Sequence, residues 1–335
     1  MRKKTLFLVL AAVATLALLF LTTRHREPDE GFDFVPDENQ SFASAGESLV
    51  WYTPNELRQY DLEGDTLNSM SLNMSEPRAV TNGDRCLIWD KGAKKLLLLD
   101  ESGETKSFTS PGRLIYACLG EEGTVLCTEK AGCAACVTVL DTDFSAVYKW
   151  YSAENVVFMA TLSPDGETLA VVRDDAVLFV STETGETLAK NEGVGQPSGA
   201  QWFGDDTLCL VTETAAYISD TSGDTDKYDY GDRALGLFTF TPDGVVLELR
   251  RHTSGGDGQL LSLDASLKKC AAAETRMLIS LAANDGEVLA LDRDTARLYG
   301  KNLKLKDTAD LNAGITGLYC GDSAVIIQNT HADLW

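Results

Sequence analysis

The sequence predicts an all-β fold behind one N-terminal transmembrane helix: a β-propeller of eight blades, with seven blades as the alternative. Three observations carry this. A tight turn followed by an apolar strand recurs eight times. Its spacing stays near 40 residues, the period of a four-stranded propeller blade. No long stretch with helical periodicity follows residue 23. The composition is globular: of 335 residues, 44% are hydrophobic and 24% charged, with 28 Gly and only 8 Pro.

The N-terminal element comes first in the chain. After Met1-Arg2-Lys3-Lys4, the run Thr5 to Thr23 has no charge, Gly or Pro, and Arg24-His25-Arg26 closes it. At 1.5 Å per residue this run spans about 28 Å, close to the hydrocarbon core of a bilayer. It ends in Leu19-Phe20-Leu21-Thr22-Thr23, which is a poor cleavage site. The reading is an uncleaved, single-pass signal anchor over 5–23, with residues 1–4 cytoplasmic and the large domain extracytoplasmic. Three basic residues on the short side against two beyond the run favour that orientation. Residues 24–40, rich in Asp, Glu and Pro, read as an acidic stalk. Within it, the alternation of 32–35 (Phe32, Asp33, Phe34, Val35) suggests a strand.

The propeller is placed at 41–335. Its clearest unit is Ser163-Pro164-Asp165-Gly166, which leads into Glu167–Val172, and Thr241-Pro242-Asp243-Gly244 is a second copy. Gly and Asp recur because tight hairpin turns need φ > 0 or a side chain that folds back on its own backbone. The strands behind the turns begin near 48, 85, 124, 168, 207, 245, 287 and 323. They are continuously apolar, as expected for strands covered on both faces. The last copy, Ile315–Trp335, has room for only three strands. The strand at 32–35 would supply the fourth and close the ring without an exposed sheet edge. In the seven-bladed alternative, the first and last copies form one blade.

Charge excludes one class of partner. The chain carries 51 acidic and 29 basic residues, a net charge of −22. Nucleic acid binding needs a basic face. The partners read from the sequence are the membrane, through the N-terminal helix, and a protein, peptide or wall polymer.

Few residues suggest chemistry. There are three histidines, His25, His252 and His331, too few and too scattered for a recognisable nucleophile–base pair. No phosphate loop, metalloprotease pattern or nucleophile elbow occurs, and no cofactor or metal is assigned. Asp220, Asp224, Asp226, Asp229 and Asp232 crowd one outer loop but lack the order of a calcium loop, and read as a solvated turn. Of eight Cys, Cys86, Cys127 and Cys209 fall in the repeated strand as small buried hydrophobes. Cys133 and Cys136 form a lone CxxC in a hairpin. If that hairpin is tight, Cys127 and Cys136 face each other and could form a disulfide. The sharpest irregularity is basic. Arg78, Arg113, Arg233 and Arg276 each stand just before the expected first strand of a blade, so they would ring one mouth of the central channel. Guanidinium groups there would bind a carboxylate or phosphate.

The Ser-Pro-Asp-Gly-x-x-Leu-Ala unit at Ser163–Ala170 resembles that of bacterial WD40-like and YVTN-like propellers, and the eight-fold count resembles the quinoprotein-like ones. The layout of one anchor and an acidic propeller looks like an uncharacterised family of membrane-anchored propellers from Gram-positive anaerobes. That resemblance implies shape and location. The function expected is a non-catalytic binding scaffold. The alternative is an enzyme with its site in the central channel, hydrolytic or quinone-dependent.

Overall fold

The computed structural model describes residues 29–251, 257–312 and 314–335. The anchor read at 5–23 and the cytoplasmic residues 1–4 lie outside the described residues. Among the described residues, no helix is long and apolar enough to cross a membrane.

Among the described residues, thirty-two strands form eight four-stranded antiparallel sheets, so the ring has eight blades and the seven-bladed alternative is excluded. Strands are lettered a to d from the axis outward. Seven blades are continuous in sequence, spanning 41–71, 77–109, 114–152, 157–192, 197–229, 233–276 and 280–310. The strand b positions agree with the expected ones to within one residue. They are almost wholly buried: Ser48–Tyr52, Thr168–Arg173 and Thr207–Thr212 are typical.

Eight apolar clusters seal the eight interfaces between consecutive blades. One joins Val125, Cys127 and Val137 of blade 3 to Leu169 and Val171 of blade 4. Another joins blades 7 and 8 through Leu289, Leu291 and Ile326. Each blade therefore leans on two others, and the closed ring leaves no sheet face open.

The closure comes from both termini, as expected, but the strand is shifted. Blade 8 pairs three C-terminal strands with Asp29–Asp33, which lies antiparallel to His331–Leu334. The reading at 32–35 followed apolar alternation and missed Asp29-Glu30-Gly31, which looks like stalk. Gly31 is required here: a Cβ at this position would meet the Ala332 carbonyl oxygen. Phe32 and Phe34 are buried in the cluster that joins blades 8 and 1. Val35 lies past the strand and is exposed. His331 Nδ1 sits 2.8 Å from Asp33 Oδ1 and pins the strand further.

The Ser163 turn shows why its sequence recurs. Ser163 Oγ donates to Asp165 Oδ1 (2.6 Å) and accepts from Thr168 N (2.9 Å), and Asp165 Oδ1 accepts from Glu167 N. Gly166 supplies φ +76. In the second copy Gly244 serves differently: a Cβ there would lie 2.1 Å from the Leu263 carbonyl oxygen.

Candidate functional site

Strand direction divides the ring into two faces. The a–b and c–d connections lie on one, the turn face. The b–c and d–a connections lie on the other, the crossover face. The turn-face connections hold 21 acidic and three basic residues, and the described crossover connections hold 10 and four.

Part of the acidity at this face is architectural, supplied by Asp residues at the ends of strand c or in the turns themselves. Asp100 Oδ1 accepts from Ser102 N and Glu104 N. Asp141, Asp220 and Asp264 do the same for the amides two and four residues on. Each carboxylate closes its own c–d turn. This accounts for Asp220; Asp226 and Asp229 lie in the outer strand Thr225–Asp229, and Asp232 lies in the crossing beyond it rather than in one loop. Burial pushes the Asp220 carboxyl up, but hydrogen bonds from Ser222, Asp224 and Gly223 outweigh that and hold it below the usual carboxylate range. No group of three potential ligands suited to a metal ion occurs among the described residues.

The central channel opens on the turn face as a cavity of about 570 Å3 lined by the ends of strand a in blades 2 to 6. Its polar lining includes Thr81, Asn82, Cys118, Thr161 and Gln201, with Tyr116, Trp202 and Phe240 as aromatic walls. Several polar groups are spent on joining blades. Cys118 Sγ donates to Thr161 Oγ1, and Gln201 Nε2 donates to the Thr241 carbonyl. Burial pushes the Cys118 thiol up and the Tyr116 phenol well up. Glu121 is the carboxylate in this lining, and beside it Arg85 Nη2 donates to the Gly120 and Glu121 carbonyls. The cavity offers shape and hydrogen bonds.

The cysteines are unbridged. The disulfide expected between Cys127 and Cys136 is corrected by the register: Cys127 opposes Val137, and Cys136 opposes Thr128. One residue of offset puts the two sulfurs on opposite faces of the sheet, where no bridge can form. Cys133 and Cys136 are also free, with a register irregularity between them: Cys133 opposes Lys130 and Cys136 opposes Thr128. Burial pushes the thiols of Cys86, Cys209 and Cys320 up to about 12 and that of Cys127 higher still.

The four arginines all lie on the crossover face, but they do not form one ring. Arg78, second in strand a of blade 2 (Pro77–Asn82), pairs with Glu76 at 2.5 Å. Arg233 opens strand a of blade 6 (Arg233–Thr241) and donates to the Leu249 carbonyl. Arg276 departs from expectation. It ends the outermost strand of blade 6 (Lys269–Arg276), on the perimeter. The Glu-Thr-Arg tripeptide precedes a three-residue crossing from rim to axis, which sequence spacing could not show. Arg113 stands just before Leu114–Leu119, strand a of blade 3, beside Lys94 and Lys130.

Sequence reasoning missed what holds this face in shape. Glu248, in strand b of blade 6 (Gly244–Arg251), is fully buried. Its Oε2 pairs with Arg250 Nη2 at 2.6 Å, and its Oε1 accepts from Arg250 Nε and Leu278 N. Arg250 also donates to the Leu278 carbonyl, so the pair clamps the crossing Met277-Leu278-Ile279 at both backbone groups. Asp90 does similar work in blade 2, accepting from Ser75 N and Glu76 N. It belongs to the single Trp-Asp pair, Trp89-Asp90, and no feature of the sequence marked it as a clamp.

The clamped crossing presents apolar surface. Met277 and Ile279 are exposed, and so is Ile315, second in strand a of blade 8 (Gly314–Cys320). Ser280 Oγ lies 3.1 Å from Thr316 Oγ1, which sets Ile279 and Ile315 side by side. Of the ten exposed large apolar residues among the described residues, Val35, Val156, Met277 and Ile279 lie in crossover connections, and Tyr151 and Ile315 at the crossover ends of strands. The other four lie at the turn-face ends of outer strands, and none lies in the tight turns.

A model of a family of unknown function (DUF5711) matches residues 32–173. A search of curated proteins returns no match. Among solved structures, the crystal structure of BamB from Moraxella catarrhalis superposes with a TM-score of 0.59, covering 92% of this chain and 99% of that one. At 13% sequence identity, that likeness shows the fold: an eight-bladed propeller similar to BamB.

Proposed function

We propose that this protein is a membrane-tethered, extracytoplasmic docking disc that binds a protein partner on its crossover face without chemistry of its own. The observation that carries the reading is the asymmetry of exposed apolar side chains between the two sets of connections: four in the crossovers, none in the tight turns. Exposed apolar groups collected on one face of an otherwise charged surface favour a protein interface.

The tether supports the same orientation. The closing strand Asp29–Asp33 occupies the d position of blade 8, so it runs from the turn face to the crossover face. An anchor at 5–23 therefore attaches on the turn-face side of the rim. Five residues separate Thr23 from Asp29, a reach of at most ~18 Å. The turn face is then held toward the bilayer, and its acidity keeps it off anionic headgroups. The crossover face points away, toward a partner. This arrangement agrees with the membrane-anchored propeller family that the sequence resembles.

The test is photo-crosslinking in intact cells, with the crosslinker placed at position 279 on the crossover face or 285 on the turn face of the full-length chain. A discrete adduct from 279 and none from 285 is expected, with the protein in the membrane fraction. Equal adducts from both faces, no adduct from 279, or recovery in the soluble fraction overturns the reading.

A further inference from the structure

A groove of about 490 Å3 opens on the crossover face between blades 2 and 3. Its cations are Lys94, Arg113 and Lys130, and its one carboxylate is Glu129. In a chain with 51 acidic and 29 basic residues, this balance is inverted. We infer that this groove binds an acidic peptide segment of the partner, one whose carboxylates are spaced by neutral residues. The inference rests on the docking reading above and names the chemistry of the partner.

The cations are held from behind and left free in front. Lys94 Nζ donates to the Pro111 carbonyl at 2.9 Å, which commits one of its three donors. Lys130 Nζ lies 3.9 Å from the centre of the Tyr151 ring. The backbone of Arg113 is fixed, because Glu129 N donates to its carbonyl. A Cβ on Gly112 would lie 2.4 Å from the Glu129 carbonyl oxygen, so only glycine lets this crossing lie so close to strand b. The guanidinium of Arg113 has no hydrogen bond or ion pair among the described residues. It is a planar fork with five donors, suited to a carboxylate.

Two features select the ligand. Small residues, Gly112, Ala131 and Ala134, line the groove between the cations and leave room for a backbone. Glu129 stands among the cations, so a polymer with continuous negative charge meets repulsion there. A peptide with gaps between its carboxylates does not, and it can donate an amide to Glu129. The acidic turn face repels the same peptide, so discrimination is built into the whole disc.

The experiment uses the full-length chain in detergent micelles and a fluorescein-labelled peptide of alternating Glu and Gly, followed by anisotropy. Saturable binding that weakens with added salt is expected. Arg113→Glu and Lys130→Glu should each weaken it roughly tenfold or more. Lys301→Glu, on the turn face, should leave it within roughly twofold. Melting curves of the variants should match the native one. Equal binding by Arg113→Glu, or no saturable binding by the native chain, overturns the inference. So does displacement of the peptide by inorganic polyphosphate at a lower concentration of charged groups, which assigns the groove to a phosphate polymer. Crosslinking from position 279 separates two kinds of failure. Capture that persists without peptide binding removes only the groove. Loss of both removes the docking face as well.

Discussion

The two faces of this ring use carboxylates in opposite ways. On the turn face, Asp100, Asp141, Asp220 and Asp264 each bind amides of the turn they begin. Their work is local, done within five residues and beside solvent. On the crossover face, Asp90 and Glu248 are buried and reach segments 14 to 30 residues away. A dense acidic surface can thus be turn chemistry repeated around a ring. A single buried acid can shape a surface that binds.

The largest effect that separates the faces should come from Glu248. Changing it to Ala leaves Arg250 without its counter-ion and Leu278 N without its acceptor, beneath a strand that packs tightly on the pair. A Cβ on Gly236 would lie 2.3 Å from Arg250 Nε. Arg250 is 34% exposed and can turn to water, so the loss is smaller than for a fully buried pair, about 2–3 kcal/mol. Urea denaturation of Glu248→Ala should show a loss of that size, and crosslinking from position 279 should fall with it. A loss below about 1 kcal/mol would mean that the crossing is held by something other than the clamp.

Asp292 tests the same idea through pH. It lies in the b–c connection of blade 7, nearly buried, with Arg297 Nη1 at 2.7 Å and Asp294 N donating to it. Burial pushes its carboxyl up, but the Arg297 hydrogen bond and the backbone amides outweigh this and leave it below the usual carboxylate range. A carboxyl depressed in the folded state contributes stability above its unfolded value, near 3.9, and loses it as pH falls through the folded value. Asp292→Asn should therefore cost about 1–3 kcal/mol at neutral pH. The gap between native and variant should begin to narrow near pH 4 and close as pH falls through the lower folded value. A gap independent of pH would show that Asp292 acts by shape alone.

Asp100→Ala is the turn-face counterpart. It removes hydrogen bonds from an exposed turn, and water can replace them. A loss of about 1 kcal/mol is expected, with no effect on partner capture.

The same contrast explains what could be read in advance. Strand b of every blade was legible because a tight turn precedes it, and tight turns demand Gly or Asp within two or three positions. The ring count followed from these starts, and so did the need for an N-terminal strand. The d–a crossings have no such demand. They run from three residues at 277–279 to seven at 34–40, and their shape is set by distant acids such as Glu248, which reads as one polar residue in an apolar strand. Arg276 was misplaced for this reason: nothing local says whether a residue before a crossing sits at the axis or the rim. The pairing of Cys127 with Cys136 failed by one residue of register, which depends on the whole hairpin. Of the candidate site, only Arg113 was named from sequence. Lys94 and Lys130 join it through the packing of blade 2 against blade 3.

The smallest effect on stability should accompany a large one on binding. Ile279 and Ile315 are each 41% exposed, so replacing either with Ser removes only part of a side chain's burial. Each variant should keep a cooperative melting transition, with a loss of no more than about 1 kcal/mol. Their neighbours Ser280 and Thr316 keep the two strands in place, since Ser280 Oγ also bonds Gly317 N and the Gly317 carbonyl. The two exposed side chains stand together at one edge of the channel mouth, so a partner that uses this face must cover both. The double variant Ile279→Ser, Ile315→Ser should therefore lose most of the adduct formed from a crosslinker at position 277. Leu67, exposed to a similar degree at 39%, lies on the perimeter of blade 1, in its outer strand. Leu67→Ser should leave the adduct intact. If the two changes weaken capture equally, exposed apolar area would matter wherever it lies, and the distinction between the faces would lose its functional meaning.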